Sequence, residues 1–340
     1  MDIGKSLRIA CVGAGYFSQF HRDGWARLDG ADVVGVCDHN FAAAQSTGIN
    51  AYNDLVTMIE TETPDVLDVI LPPQAHAETI RTAMRAGVKT IICQKPFCRD
   101  LAEATALTRA ANAADVTLII HENFRFMPWY RTMRNILDDG GLGTVLQATF
   151  RLRPGDGQGP DAYMDRQPYF QTMPQLLIHE TGIHWVDVFR FLFGDPTHVY
   201  ADLRRVNPAI AGEDAGFVLL DHPDDVRVLL DGNRLLDHAA DNHRRTMGEA
   251  LIEGTKASLS LYGDGSVWQR PFGAQSAVCV GPANTHKNFG GDCVFAFQKH
   301  VIEGLSGRGT LVNTAQDYLT VIRARDAIYL SAETGQKRAL

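Results

Sequence analysis

Short apolar runs alternate with amphipathic stretches over the first 125 residues, a pattern that predicts strands alternating with helices. The predicted strands are 7–12, 32–37, 66–71, 90–93 and 117–120, and the predicted helices include 17–28, 77–86 and 101–113. Such alternation is typical of an α/β Rossmann fold, a doubly wound parallel sheet with helices on both faces. Ligands of these sheets bind beyond the carboxyl ends of the strands.

From residue 144 the pattern changes to strands separated by turn signals. The segment VLQATFRL alternates apolar and polar positions, and further strands are predicted at 197–203, 215–220, 226–230, 248–253 and 258–262. Amphipathic helices are predicted at 292–304 and 314–333. We therefore expect a first domain over 1–124, followed by an α+β domain over 125–340 with a largely antiparallel open sheet. The last helix is expected to pack back on the first domain.

The segment 175–194, QLLIHETGIHWVDVFRFLFG, predicts a helix with two distinct faces. At 100° per residue, Glu180 and His184 lie one above the other on the face opposite the apolar stripe, because they are four positions apart. A carboxylate stacked on an imidazole is a candidate acid/base site. The alternative is a structural pair on the helix surface or at the domain junction.

Composition and charge exclude several classes of protein. The chain has 340 residues and a net charge of −8 without a run of basic residues, which argues against nucleic acid and anionic membranes as partners. No apolar stretch is long enough to span a bilayer, and no signal peptide is recognisable, so we expect a cytoplasmic protein. The six cysteines form no CxxC pair, which argues against a structural zinc site and against a disulfide framework.

The first strand leads into VGAGYFS, a glycine turn of the kind that approaches a dinucleotide pyrophosphate at a helix N-terminus. Gly13 permits the turn, Gly15 permits close approach, and Ser18 stands where the third glycine is usual. The second strand ends at Asp38, whose carboxylate can accept a hydrogen bond from a ribose 2′-hydroxyl and would repel a 2′-phosphate. Since no cation follows at His39, the turn predicts NAD rather than NADP. A plain tight turn and a helix-capping Asp38 are the alternatives.

Two later strands also end in residues suited to a ligand crevice. LPPQAH includes Leu71, Pro72 and His76, and the imidazole of His76 either caps the next helix or flanks the nicotinamide. CQKPF places Lys95 at the carboxyl end of a parallel strand, before a proline that permits a cis peptide bond. A solvated surface lysine is the alternative for Lys95.

The remaining candidates lie at the junction, in a long loop and beside the predicted acid/base pair. Asn123 and Arg125 leave the last parallel strand facing the crevice. The loop 154–174 is rich in Gly, Pro and aromatic residues, as functional lids often are, although a solvated or subunit-contacting loop is the alternative. Its candidates for binding sugar hydroxyls are Tyr163, Asp165, Arg166 and Tyr169. His179 is a packing residue or a substrate contact.

These motifs together resemble the Gfo/Idh/MocA oxidoreductases, the family of glucose-fructose oxidoreductase and inositol dehydrogenase. The resemblance is carried by VGAGYFS, the strand ending at Asp38, ILPPQAHAETIRTAMRAGV, QKP, ENFRFMPWYR, GGLGTV and HETGIHWVD. Gln94 stands where the family usually has Glu, and Glu180 where it usually has Asp. GYFSQFH and ENFRFMPWYR are most similar to the D-apiose dehydrogenase branch.

The resemblance implies hydride transfer from a sugar or polyol to NAD, with Lys95 and His184 as the acid/base pair and Glu180 assisting. Implied cofactor contacts are Gly13, Gly15, Tyr16, Phe17, Asp38, His39, Leu71, Pro72, His76, Gln94, Lys95 and Asn123. Expected substrate contacts are Lys95, Arg125, Tyr163, Asp165, Arg166, His179, Glu180 and His184. No metal is needed, and a homo-oligomer through the open sheet is expected. An NAD-dependent glycoside hydrolase and a non-catalytic NAD-binding regulator are the competing hypotheses.

Overall fold

A computed structural model describes residues 6–286 and 288–340 and divides the chain into two compact units. The first unit comprises the chain up to Asn123 together with Val294–Leu319. The second comprises Phe124–Cys293 and Thr320–Leu340.

The first unit is built on a six-stranded parallel sheet. Its strands are β1 Leu7–Val12, β2 Ala31–Cys37, β3 Ala51–Tyr52, β4 Val66–Val69, β5 Thr90–Gln94 and β6 Thr117–His121. The helices between them are α1 Ser18–Ala26, α2 Phe41–Gln45, α3 Leu55–Glu62, α4 Pro73–Arg85 and α5 Leu101–Ala113. The strand order is β3-β2-β1-β4-β5-β6, so the predicted doubly wound sheet is confirmed. Its order reverses between β1 and β4, where such sheets bind their ligands.

Three short elements of this unit were not predicted from the hydrophobic pattern: β3, α2 and α3. Both helices begin at a polar cap, because Asn40 accepts a hydrogen bond from the Ala43 amide and Asp54 accepts one from the Thr57 amide. Such caps define a helix start, and helices of five and eight residues are too short to show a clear apolar period. A two-residue strand is likewise too short to show a period.

The second unit contains a nine-stranded sheet in which all neighbouring strands are antiparallel except β7 and β10. The strands are β7 Val145–Leu152, β8 His198–Arg204, β9 Ala215–Asp221, β10 Arg227–Asn233, β11 Gly248–Gly254, β12 Ala257–Leu261, β13 Val267–Pro271, β14 Val278–Gly281 and β15 Arg338–Ala339. The sequence pattern predicts six of them, and it misses the two edge strands, β14 and β15, together with β13, which lies next to β14. Short edge strands carry little hydrophobic alternation.

Helices cover one face of this sheet. They include α6 Pro128–Asp138 and α7 Ile183–Phe193. Of the C-terminal helices, α8 Cys293–Leu305 belongs to the first unit from Val294 onward, and α9 Ala315–Thr334 is divided between the two units after Leu319. Trp185 of α7 packs against Phe150 of β7 with ring centroids 4.5 Å apart. None of the helices in the described part of the chain combines the length and apolar character needed to cross a membrane.

The predicted helix over 175–194 is two elements. A π-helix spans Leu177–Gly182, and α7 follows it directly. The assumption of 100° per residue fails in the π-helical turn, which has i→i+5 hydrogen bonds. The predicted polar face is also wrong for α7, because His184 and Asp187 are buried together with the apolar positions.

Candidate active site

The glycine turn of the first unit uses its two glycines differently. Gly13 has φ +103°, and a Cβ there would lie 2.3 Å from the backbone oxygen of Ile70. A side chain at Gly13 is therefore excluded by the protein itself. A Cβ at Gly15 would meet no atom within 4 Å, which leaves the space beside this backbone open for a ligand. The turn fits a pyrophosphate at Gly15, followed by the N-terminus of α1.

Asp38 follows β2 and faces the glycine turn. Its Oδ2 accepts a hydrogen bond of 2.7 Å from the Ala14 amide, and its Oδ1 accepts one of 2.8 Å from the Asn40 amide. The next side chain, His39, is 95% exposed. The carboxylate is thus held beside the turn, at the position where a ribose hydroxyl can reach it.

His76 connects two strand ends rather than capping a helix. It lies inside α4, whose N-cap is Pro72, so the helix-capping interpretation is wrong. Its Nε2 lies 2.7 Å from the Leu71 carbonyl oxygen, and its Nδ1 lies 3.0 Å from that of Phe97. Burial lowers the pKa of His76 despite these two acceptors, because the charged imidazolium is poorly solvated there.

Lys95 follows β5 at the same sheet edge as the glycine turn. Gln94 and Pro96 on either side are buried, whereas Lys95 is half-buried, and the Lys95–Pro96 peptide bond is cis. The Lys95 amide donates a 2.8 Å hydrogen bond to Oε1 of Gln94. Of the other predicted cofactor contacts, Tyr16 is 49% exposed beside the turn. Asn123 is buried two residues after β6.

In the second unit, the start of the π-helix is held by a carboxylate that the sequence analysis did not identify. Glu213 accepts hydrogen bonds from the amides of Leu176 and Ile178, at 3.2 and 3.1 Å. The hydroxyl of Tyr329 donates to Glu213 at 2.6 Å and accepts from the His179 amide at 3.0 Å. Helix starts expose amide donors, so a carboxylate is the matching group at this position.

His184 lies in the first turn of α7 and is held by stacking. Its ring is parallel to that of Phe124, with centroids 3.7 Å apart and planes at 3°. Trp185 meets the same phenylalanine edge-on at 5.3 Å and donates to the Tyr130 hydroxyl. This packing fixes the plane of the His184 ring.

Glu180 belongs to a chain of polar contacts that ends at a buried arginine. Thr181 donates to Oε2 of Glu180 at 2.9 Å and accepts from Nη1 of Arg234 at 2.5 Å. Arg234 also donates to Asp156 at 2.8 Å, and its guanidinium lies over the Tyr163 ring at 4.9 Å. Arg234 therefore joins the loop 154–174 to the π-helix.

His179 has its tautomer set by a neighbouring arginine. Nη1 of Arg325 lies 3.2 Å from Nδ1 of His179. Because a guanidinium only donates, Nδ1 is the acceptor and Nε2 carries the proton. His179 therefore presents an N–H donor on its other side.

The remaining predicted substrate contacts differ in exposure. Arg125 is buried and donates from Nε to Asp187 at 2.7 Å, with a second contact from its Nη2. Tyr163 is buried in a small core with Phe170, and burial raises its pKa to about 12. Asp165 is exposed, and Arg166 is half-buried, 3.3 Å from Asp156. For Arg125 and Tyr163 a substrate contact stays a prediction that this packing does not favour.

Several residues that hold the site are absent from the sequence-based set: His21, Asp68, Asp156, Glu213, Arg234, Arg325 and Tyr329. The strand that ends in DGNR gives a weak signal for Arg234, since a charged residue follows a buried strand directly. The others act through contacts between segments distant in sequence, which a single sequence does not reveal.

Cavity volume and metal-ligand geometry do not identify this site. A groove of about 670 Å³ in the second unit is lined by residues from 128–132, 265–267 and 281–286, and it includes none of the predicted site residues. Within residues 6–286 and 288–340, no group of three or more His, Cys, Asp or Glu side chains is placed to hold a metal ion.

Comparison with known families gives matches to both units. A family model described as an oxidoreductase family with an NAD-binding Rossmann fold, GFO_IDH_MocA, matches residues 7–122. The model of the GFO/IDH/MocA C-terminal domain matches residues 130–260.

Individual relatives match almost the whole chain. A D-apiose dehydrogenase of Paraburkholderia graminis is 32% identical over 98% of this chain and 89% of its own length. A D-apiose dehydrogenase of Rhizobium rhizogenes is 28% identical over 97% of this chain and 96% of its own length. The crystal structure of an oxidoreductase from Agrobacterium radiobacter, in complex with NAD⁺, L-tartaric acid and magnesium, superimposes with a TM-score of 0.88. That protein is 26% identical, and the match covers 98% of both chains.

Proposed function

Because the chain belongs to the Gfo/Idh/MocA family of NAD-binding oxidoreductases, we propose that it is an NAD-dependent dehydrogenase of a sugar or polyol CH–OH group. The observation that carries the proposal is the position of Lys95 at the sheet edge that also bears the glycine turn and Asp38. At the carboxyl end of β5, the ammonium group of Lys95 can stabilise negative charge on a substrate bound beside the nucleotide. The relatives named D-apiose dehydrogenase support a sugar as the substrate.

The first unit offers a matching group for each part of the dinucleotide. The open space at Gly15 and the start of α1 suit the pyrophosphate, and Asp38 suits the adenosine ribose. Leu71 and Pro72, which follow β4, are the residues we propose for contact with the nicotinamide, and the buried His76 holds the Leu71 carbonyl at 2.7 Å. When bound, NAD⁺ supplies the hydride acceptor.

Lys95 stabilises the negative charge that develops on the reacting oxygen. Oxidation of the alcohol breaks its C–H and O–H bonds, and the carbon becomes a carbonyl while the hydride leaves to NAD⁺. The oxygen becomes more alkoxide-like as its proton departs. An ammonium group directed at that oxygen lowers the barrier electrostatically.

His184 accepts the hydroxyl proton. Imidazole is the side chain whose protonation changes near neutral pH, and the stack on Phe124 fixes the plane of the His184 ring. Glu180 binds a neighbouring hydroxyl of the substrate. Its Oε2 accepts a hydrogen bond from Thr181, which in turn accepts one from Arg234, so these two residues hold the carboxylate in position. His179 donates from Nε2 to another substrate oxygen.

We propose a second copy of this chain as the partner of the open sheet. Tyr200, Leu219, Leu229, Thr149 and Leu251 are successive cross-strand neighbours, so they share one face of the sheet. Tyr200, Leu219 and Leu251 are exposed. Exposed apolar side chains that share one face of a sheet are typical of a subunit interface.

The test of the activity is a substrate panel with NAD⁺, followed by NADH absorbance. The panel contains D-apiose, common aldoses and inositols, with nitrophenyl glycosides in parallel. We expect NADH to form with at least one sugar or polyol. Cleavage of a nitrophenyl glycoside without NADH formation would instead establish the hydrolase chemistry and contradict the proposal.

A further inference from the structure

A line of buried polar side chains runs from Asp68 to the backbone of Lys95. Gln94 lies between Lys95 and His21, with its Oε1 2.8 Å from the Lys95 amide and its Nε2 3.1 Å from Nε2 of His21. On the other side of the ring, Nδ1 of His21 lies 2.8 Å from Oδ2 of Asp68. Asp68 and His21 are completely buried, and Gln94 is 8% exposed.

The direction of every hydrogen bond in this line follows from the Lys95 amide. A backbone N–H can only donate, so the oxygen of Gln94 faces it and the NH₂ group faces His21. The NH₂ group can only donate, so Nε2 of His21 accepts. The single ring proton is then on Nδ1 and is donated to Asp68. Gln94 thus requires a neutral His21.

We propose that Asp68, His21 and Gln94 form a hydrogen-bond chain of fixed direction that positions Lys95, with Gln94 keeping His21 neutral. This proposal rests on the proposed function only because Lys95 is the residue that the hydrogen-bond chain positions. Its members belong to β4, α1 and β5, so it joins three elements behind the end of β5. Trp25 adds a second donor to Asp68 at 2.8 Å.

Replacing Gln94 with Glu, the usual family residue, would require one more proton in this hydrogen-bond chain. A carboxylate accepts the Lys95 amide equally well, but it also needs a donor from Nε2 of His21. His21 would then carry both ring protons between two carboxylates. The formal charge of the three groups stays at −1, because the added negative charge is balanced by the added proton.

Few charged side chains surround the imidazole ring of His21. His121 stacks on His21 with centroids 4.0 Å apart, and Phe17 meets it edge-on. Burial raises the pKa of the thiols of Cys11 and Cys93, which interact with Asp68, so both stay uncharged at neutral pH. Arg22, which follows His21 in the chain, has a guanidinium that donates to Ser18.

The state of His21 is measured by ¹⁵N NMR on histidine-labelled protein at neutral pH, with His21→Asn identifying the signals among the 12 histidines. We expect the neutral Nδ1–H form in the wild type and the doubly protonated form in Gln94→Glu. A wild-type His21 protonated on Nε2, or on both nitrogens, overturns the proposal. This readout does not depend on activity, so it is independent of whether the proposed function is correct.

The effect on Lys95 is measured by kinetics on Gln94→Glu and Gln94→Met. The glutamate variant keeps the acceptor for the Lys95 amide, so its kcat should stay within about threefold of the wild type. The methionine variant keeps the volume but not the hydrogen bonds, so kcat should fall about 10- to 100-fold. A purely structural role would favour methionine over a buried charge. Wild-type kcat in Gln94→Met, with lost activity in Gln94→Glu, therefore contradicts the proposal.

Discussion

Gly13 and Gly15 separate the two reasons for a glycine in a nucleotide-binding turn. At Gly13 the positive φ and the approach to Ile70 exclude any side chain, so this glycine is required by the fold. At Gly15 the fold leaves space for a side chain, so its use is explained by the ligand. The sequence predicts both glycines, but only the structure distinguishes their roles.

Asp38→Ala should weaken NAD⁺ binding by about 10- to 100-fold and reduce the preference for NAD⁺ over NADP⁺. The variant removes the acceptor for the ribose hydroxyl and the hydrogen bond to the Ala14 amide. Titration of both cofactors by fluorescence or calorimetry measures the change. Asp32→Ala, at the exposed opposite end of β2, is the matched control. An unaltered cofactor preference in Asp38→Ala would show that another group selects NAD⁺.

Residues predicted from motifs are those that a ligand needs directly, such as Asp38, Lys95 and His184. The residues that hold them could not be predicted, because each acts across a long sequence separation. Arg234 reaches Thr181 over 53 positions, and Asp68 reaches His21 over 47. Such contacts are set by strand order and not by local pattern.

The π-helix at Leu177–Gly182 is the element in which sequence and structure differ most. Its residues fit an α-helical period, and the apolar stripe runs through them without a break. The deviation follows from the way the segment begins, since Glu213 and Tyr329 hold the first amides from two other elements. Irregular helical turns of this kind are frequent at functional sites.

Glu213→Gln should lower the free energy of unfolding by about 1–2 kcal/mol, because the amide cannot accept at both of its polar atoms. The same variant should lower kcat, since the start of the segment that carries Glu180 and leads into His184 is less well held. Thermal unfolding and steady-state kinetics measure the two effects. Glu303→Gln, at a partly exposed position of α8 with a long 3.9 Å ion pair to Lys299, is the control and should change stability by less than about 0.5 kcal/mol. Equal stability of both variants would contradict the role of Glu213.

At the scale of the whole molecule, the sequence predicts the two kinds of sheet correctly because long strands show their period clearly. β7 was predicted to the residue, whereas the short β3, the edge strands β14 and β15, and the neighbouring β13 were missed. The alternation of β8 and β9 also predicts one buried and one exposed face. The alternation of apolar and polar positions does not predict that the exposed face also carries the apolar side chains Tyr200, Leu219 and Leu251.

The double variant Leu219→Glu and Leu251→Glu should convert an oligomer into a monomer. Both side chains lie on the exposed face, and like charges on paired copies would repel after losing their apolar contact. Light scattering coupled to size exclusion at micromolar concentration gives the mass. Val56→Glu, an exposed apolar position on α3, serves as the control. A wild-type protein that is already monomeric under these conditions would contradict the proposed interface.

The most direct test of the account compares NADH formation and NAD⁺ affinity in wild type, Lys95→Met and His184→Asn. Lys89→Met, at the exposed amino end of β5, controls for loss of a lysine. We predict that turnover on the best sugar or polyol of the panel falls by at least about 100-fold in both site variants, while NAD⁺ affinity changes less than about threefold. Turnover within about tenfold of the wild type in either variant would contradict the assigned roles of Lys95 and His184.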